Sequence, residues 1–472
     1  MSTSDISQQL ADKVVAMKHA FIADGPPGAA LRRDRLERAI QLLNLHHGEL
    51  EAAISADFGH RSAYQTLLTD VHFSIAGLRH AQESLETWMR AENTAAPVPG
   101  MQTRVQYQPL GVVGIISPWN FPLNLAFCPL AGVFAAGNRA LLKPSELTPR
   151  TAELLAHLAG RYFDPLELDV VQGDATVGAA FSGLPFDHLV FTGSTTVGRH
   201  VMRAAAENLV PVTLELGGKS PVLLDTDADI RRAVERVLTI KTFNAGQICI
   251  SPDYVLLPES AREGFITHAR EFVAQTLPAL HENPDYTSII SERHYQRQLR
   301  LLEDARARGA SVVGLEPAEQ ANSDDTKRTL APTLVLDPTD DMLVMQEEIF
   351  GPILPLLTYR SAEDAMDYIN AHPRPLAAYY FGDNPARQQA FSERTTSGGL
   401  VVNDVMTHVA VENLPFGGVG PSGIGAYHGV HGFRRFSHAK AVVIQSPGGD
   451  SNLPLRAPYA DNLPQIKALL AS

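Results

Sequence analysis

The 472-residue sequence has almost no cysteine, only Cys128 and Cys249. Two thiols cannot build a disulfide framework, so the chain reads as a protein of a reducing compartment such as the cytoplasm. Met1-Ser-Thr-Ser-Asp-Ile6 has no basic stretch followed by an apolar core, so no secretory signal is expected. Long apolar runs are absent. The most apolar segment, 110–137, is interrupted by Pro118, Asn120, Pro122, Asn124 and Pro129, and the stretch from Pro454 to Ser472 is too polar for lipid. No bilayer span is expected. Positive charge is in deficit, with 39 Lys and Arg against 52 Asp and Glu for a net −13. An acidic surface argues against nucleic acid or an anionic membrane as partner. No short-period repeat or low-complexity tract is found. What remains, 44% hydrophobic and 19% charged, is an ordinary globular composition with length for two or three domains.

Helical spacing of Leu36, Ile40 and Leu43 predicts one amphipathic helix over 31–56, and another is expected over 72–88. Thr94 to Gly100 is a proline-bearing linker, and Val105 to Gln108 alternates like an edge strand. From Gly111 the pattern becomes strand, turn, helix. Strands are expected at 112–116, 139–142, 168–171, 188–191 and 212–216, with helices at 123–136, 149–158, 175–181 and 195–208. Such alternation predicts an α/β fold with a doubly wound parallel sheet, which binds ligands beyond the carboxyl ends of its strands. Ser117, Lys143, Gly173 and Gly193 would fall there. A second α/β series begins near Pro221 and includes strands at 254–257 and 355–358 and helices at 230–243, 293–308 and 362–371. The run 415–438 reads as loop, and Ala441 to Ile444 as a strand pairing with 105–108 or with another subunit.

The centre of the chain is Lys241-Thr-Phe-Asn-Ala-Gly-Gln-Ile-Cys-Ile-Ser-Pro-Asp-Tyr254. Alone, a cysteine more often packs as a small hydrophobe, but Gly246 beside it would let a substrate approach. Glu215 ends an apolar strand, where burial would raise its pKa toward that of a general base. In Pro118-Trp-Asn-Phe-Pro122, the Asn120 amide could donate to an oxyanion. Lys143 and Glu146 could bind the two hydroxyls of a ribose. Phe191-Thr-Gly-Ser-Thr-Thr-Val-Gly198 opens a helix, so the amides around Gly193, Ser194, Val197 and Gly198 face a phosphate or merely a plain turn. Asp57-Phe-Gly59 has no kinase loops around it. His428, His431 and His438 lack a completing Cys or carboxylate cluster, so no metal site is expected.

Together these motifs resemble the aldehyde dehydrogenase superfamily over about 111–444. The details of 246–254 and of 415–429 are similar to its class 3 branch, and within that to the bacterial enzymes acting on coniferyl aldehyde. The resemblance implies Cys249 as nucleophile, Glu215 as base, and Asn120 with the Cys249 amide as oxyanion hole. It implies NAD as cofactor, with NADP possible. Lys143 and Glu146 would hold the adenosine ribose, Gly193 and Ser194 the pyrophosphate, and Glu348 with Phe350 the nicotinamide ribose. Trp119 and Gly173 would line the groove. It further implies a cofactor domain (1–97 and 109–214), a catalytic domain (215–425), bridging elements (98–108 and 426–446), a tail (447–472) and a homodimer. Cys128 is expected to be packing only.

Ile248 and Ile250 flank the thiol with no Arg or Lys beside it, which favours an apolar or aromatic aldehyde. Tyr254, Phe416 and Tyr427 could supply rings to the pocket or belong to the core. A medium-chain or fatty aldehyde is the alternative substrate. A CoA-acylating enzyme is a further alternative that Glu215 argues against, and a binding protein on a retired enzyme fold is the last.

Overall fold

The computed structural model describes residues 3–316, 325–449 and 452–471. Positions 1–2, 317–324, 450–451 and 472 fall within the expected cofactor domain, catalytic domain and tail, and these parts lie outside the described residues.

The first sheet is built on Val112–Ile116, Arg139–Lys143, Leu168–Val170, His188–Thr192 and Val212–Glu215. All five are parallel and, counted along the chain, lie in the order 3-2-1-4-5. Their near-continuous apolar runs fit strands buried on both faces. The order reverses between Val112–Ile116 and His188–Thr192, and a crevice opens at the carboxyl ends of strands at such a point. A sixth strand, Gly423–Ile424, pairs antiparallel with Leu214 and Glu215. It joins this sheet although sequence placed it with the other domain.

The second sheet has seven strands in the order Ser311–Gly314, Thr333–Leu336, Ile353–Tyr359, Pro252–Pro258, Ser220–Leu224, Ala377–Phe381 and Gly399–Val402. Only the first pair is antiparallel. Helix Ile230–Thr242 leads from Ser220–Leu224 into the Cys249 turn, and Pro252–Pro258 follows. The third sheet, Glu92–Thr94, Gln102–Pro109 and Ser437–Ile444, is antiparallel. Ala441 pairs with Val105 and His438 with Gln108. The expected edge strand is therefore the middle strand, because Glu92–Thr94 covers its other side.

The single helix expected over 31–56 is two, Ala29–Leu45 and His47–Phe58. The break falls at His46, which leaves helical geometry and sets its ring against Tyr162 with Nε2 3.2 Å from the hydroxyl. The run 415–438 is not all loop, since Gly429–Arg435 is helical. That helix lies on Asn124–Ala136 with Gly132 against Gly432, and a Cβ on Gly132 would stand 3.0 Å from the Gly432 carbonyl carbon. Helices Thr3–Asp24 and Arg262–Thr276 and strand Ala377–Phe381 were not read from the sequence.

One ion pair fixes the segment that carries Asn120. Arg61 and Asp70 are fully buried and 2.9 Å apart. Asp70 accepts from the amides of Leu123 (3.0 Å) and Asn124 (3.2 Å), and Arg61 donates to the Asn120 carbonyl at 3.0 Å. Burial pushes the Asp70 carboxyl up and the Arg61 guanidinium down, and their mutual attraction opposes both. Removing one member strands the other charge. Asp70→Ala is predicted to cost about 3–5 kcal/mol of stability in denaturant unfolding, and a change within ±0.5 kcal/mol would contradict the arrangement.

Candidate active site

The thiol sits in a turn that other parts of the chain hold under strain. After helix Ile230–Thr242, Asn244 and Ala245 both have φ of +50°, a region costly for residues with a Cβ. Asn244 is pinned there. Its amide donates to Gln65 Oε1 at 3.0 Å, and its Nδ2 donates to the carbonyls of Asn120 and Gln247, both at 3.2 Å. Gly246, at φ +71°, lies so close to the Gly351 carbonyl that a Cβ would collide with it. The Gln247 side chain donates to Asn244 and Ser288 carbonyls at 3.0 and 3.1 Å and accepts from the Ile290 amide at 3.0 Å. Buried Lys241 donates to the Pro252 carbonyl at 2.8 Å, and Tyr379 to the Ile250 carbonyl at 2.5 Å. Every side of the turn is therefore tied to a different element.

Cys249 is half-buried and free. Burial, then the charges of Glu348 and Glu215, push its thiol up to about 12, while the amides of Cys249 and Ile250 act in the opposite direction. Those two amides therefore reach the position of a negative charge on the sulfur. Glu215 is buried at its strand end, and neither carboxyl oxygen has a protein partner. Burial alone raises its pKa well above the ordinary carboxylate range. Asn120 donates through Nδ2 to the Gln247 carbonyl at 3.2 Å, which uses one of its two amide protons and leaves one free.

A cavity of about 280 Å³ opens onto the thiol. Ile248, Ile250, Phe121, Leu125, Met406 and Phe416 give it an apolar wall. Phe416 and Tyr427 both line it; Tyr254 does not. Strand Pro252–Pro258 alternates, so Val255 and Leu257 face the core cluster that holds Ile248 and Ile250, while Tyr254 and Leu256 face another. Tyr254 thus points away from the thiol, with its ring against Tyr368 at 6.0 Å. Cys128 was expected only to pack; it lies in the cavity wall.

On the other side, a cavity of about 440 Å³ joins Thr195, Gly217, Gly218, Tyr254 and Glu348. Glu348 is half-buried beneath Gly217, where any Cβ would overlap its carboxylate. One of its oxygens is buried without a partner, and burial and then Asp253 push its pKa up to about 8, against the Gly218 amide. Phe350, at φ +51°, sets its ring edge-on to Trp119 at 5.4 Å. At the strand ends, Ser117 has a buried hydroxyl without a partner, and its amide donates to the Lys143 carbonyl at 3.1 Å. Buried Lys143 reaches exposed Glu146 at 3.3 Å. Gly173 leaves room for Val177, and Gly193 for the Phe191 ring. Ser194 caps helix Thr195–Ala206 through the Val197 amide at 3.4 Å, Val197 is exposed, and Gly198 is buried against Leu216.

The pattern described as the aldehyde dehydrogenase family matches residues 7–442. The chain belongs to the aldehyde dehydrogenase family. It is 55% identical to coniferyl aldehyde dehydrogenase of Pseudomonas sp. over 466 residues, covering 99% of this chain and 97% of that one. AldH of Staphylococcus aureus, solved in a substrate-bound state, is 35% identical with a TM-score of 0.91, covering 98% of this chain and 99% of that one. The indole-3-acetaldehyde dehydrogenase AldA of P. syringae, solved with NAD+ and IAA, is 28% identical with a TM-score of 0.84, covering 94% and 89%.

As an aldehyde dehydrogenase the chain oxidises aldehydes with NAD or NADP. Its groove fits such a cofactor: the first helical turn after Ser194 presents amides to phosphate, and Ser117 and Glu348 hold buried polar atoms that lack protein partners. Among the described residues no helix is long and apolar enough to cross a membrane. The residues that hold the turn, Arg61, Gln65, Asp70, Asn244 and Gln247, were not singled out from the sequence. Only Asn244 and Gln247, beside the thiol, left a local signal there.

A thiol at about 12 carries little thiolate at neutral pH. Adduct formation at Cys249 with iodoacetamide, followed by mass spectrometry on protein without cofactor, is predicted to rise about tenfold per pH unit between about pH 7 and 10. A plateau near the ordinary thiol pKa of about 8.5 would contradict the burial described.

Proposed function

We propose that this aldehyde dehydrogenase oxidises an aromatic aldehyde resembling coniferyl aldehyde to its carboxylic acid, through a thioester on Cys249. The observation that carries the reading is a thiol at the end of an apolar cavity, electrostatically coupled to a buried carboxylate, Glu215, that has no protein partner. The Cys249 sulfur adds to the carbonyl carbon as thiolate, and negative charge gathers on the oxygen. The free Asn120 proton and the Cys249 amide are assigned to that oxygen, the second because it already favours charge on the sulfur. NAD, when bound, supplies the hydride acceptor. Lys143 and Glu146 are assigned to its adenosine ribose, Gly193, Ser194, Val197 and Gly198 to its phosphates, Glu348 and Phe350 to the nicotinamide ribose, and Ser117, Trp119 and Gly173 to the walls. Glu215 takes a proton from the water that attacks the thioester; the carbon–sulfur bond breaks and the acid leaves.

The apolar and aromatic lining supports an aromatic substrate, as does the name of the Pseudomonas relative. Glu146 at a ribose would repel a 2′-phosphate and so favours NAD over NADP. We assign residues 1–97 and 109–214 to the cofactor domain and 215–425, apart from the strand Gly423–Ile424 that joins the first sheet, to the catalytic domain, and the few cysteines and acidic charge support a cytoplasmic enzyme. A homodimer joined at the Ser437–Ile444 edge is supported by the exposure of Val443 and Ile444 on an unpaired strand edge.

Cys249→Ala is expected to abolish aldehyde-dependent NADH formation. Glu215→Gln is expected to lower steady-state turnover by roughly a hundred- to ten-thousand-fold while keeping a burst of about one NADH per site. Loss of the burst would move Glu215 to an earlier step, and full activity of Cys249→Ala would sink the mechanism. A screen of aromatic against aliphatic aldehydes with each cofactor tests the substrate class. In size-exclusion chromatography the chain should elute at twice its mass, and Val443→Pro should shift it toward the monomer; a wild-type monomer rules out the dimer.

A further inference from the structure

The aldehyde cavity is apolar around the thiol but not throughout. Its wall also carries Asn124, Cys128, Glu412 and His428. Cys128, Glu412 and His428 also border a smaller recess lined by Gly77, Gly132, Gly429 and Gly432. Cys249 borders only the larger cavity, so that cavity has a reacting end at Cys249 and a second, polar end at Glu412, where it meets the recess.

The polar end is underused by the protein itself. Glu412 is half-buried, and among the described residues no hydrogen bond or neighbouring charge offsets the burial that raises its pKa. Its carboxylate lies over Gly77 of helix Phe73–Trp88, and a Cβ there would come within 3.2 Å of Oε1. Nδ1 of His428 is buried without a partner, and its ring stacks on Phe416 at 5.1 Å, which fixes its orientation. His428 itself has φ of +88°, a strained setting for a residue with a Cβ. A carboxyl in an apolar cavity costs free energy unless a ligand group completes its hydrogen bonds.

We propose that Glu412, with His428 beside it, is a specificity-determining pair that binds a hydroxyl on the substrate's ring remote from the aldehyde, so that the preferred substrate is a phenolic aromatic aldehyde. This rests on the aromatic reading above. A phenol donates to the Glu412 carboxyl, and its oxygen or that of a neighbouring ring substituent faces the His428 ring. Burial raises the Glu412 pKa. A site built to hydrogen-bond a substrate hydroxyl discriminates against the analogue lacking it because its own polar groups are then left unpaired.

The test compares kcat/KM for para-hydroxycinnamaldehyde and for cinnamaldehyde, with NAD, in wild type, Glu412→Leu and Glu412→Gln. The ratio of the two does not depend on the fraction of a variant that folds. Wild type should prefer the phenol, and Glu412→Leu should lower that ratio by roughly tenfold or more, the value of a hydrogen bond to a carboxyl group. Glu412→Gln, which keeps an acceptor and a donor, should recover part of it. An unchanged ratio in Glu412→Leu, or a wild type without preference, overturns the assignment while leaving the aromatic reading standing. Turnover of hexanal with neither aromatic aldehyde oxidised overturns both.

Discussion

Burial of charge around one sulfur is the constraint on which the rest of this structure depends. Cys249, Glu215 and Glu348 share a water-poor region that disfavours the charged form of each. Desolvation strengthens every interaction made there with developing charge, and it also makes an uncompensated charge costly. Two features answer that cost. The backbone amides of Cys249 and Ile250 favour a negative sulfur, and the turn that aims them is immobilised by Asn244, Gln247, Gln65 and Tyr379. Preorganised dipoles of this kind need no rearrangement when charge appears.

The two parallel sheets bring the parts together from separate directions. Glu215 arrives at the end of a strand of the first sheet, and the thiol in the approach to a central strand of the second. Asn120 comes from the loop beyond Val112–Ile116, next to the point where the strand order reverses. None of these elements could place its residue alone. The short strand Gly423–Ile424, pairing with Glu215, links the run 415–429 to the first sheet, so the chain that supplies Phe416 and Tyr427 to the cavity is fixed to the strand that carries Glu215.

Local chemistry was legible in the sequence wherever it depended on neighbours along the chain. Near-continuous apolar runs gave the five strands of the first sheet within two residues, because strands covered on both faces have few polar positions to blur them. Cys249 and Glu215 stood out because a lone thiol beside glycine and a carboxylate inside an apolar strand are each unusual. Long-range partners were not legible. Gln65 meets Asn244 across 179 positions, and nothing near either residue announces it. Tyr254, five positions from the thiol, reads equally as a ring for the pocket or for the core. Strand alternation turns it to the opposite face of the sheet, and proximity in sequence says nothing about which face a residue takes. Cys128, inside an apolar helix, reads as packing and does pack against the core, and only the fold shows that this helix also walls the cavity.

The same features that make the site reactive weaken the protein locally. Asn244 and Ala245 hold left-handed backbone, two carboxylates lie buried with unmet hydrogen bonds, and His428 holds positive φ. A sequence selected for stability alone would place glycine at the left-handed positions and amides or apolar groups in place of the acids. The strain is confined to segments packed between rigid strands and helices, where tertiary contacts exceed what the turns cost. Glycines elsewhere mark the opposite solution. Gly217 makes room for Glu348, and Gly132 lets helix Gly429–Arg435 touch Asn124–Ala136. Backbone that must yield space is given to glycine, whereas backbone that must aim a side chain keeps the residue and is braced by distant partners.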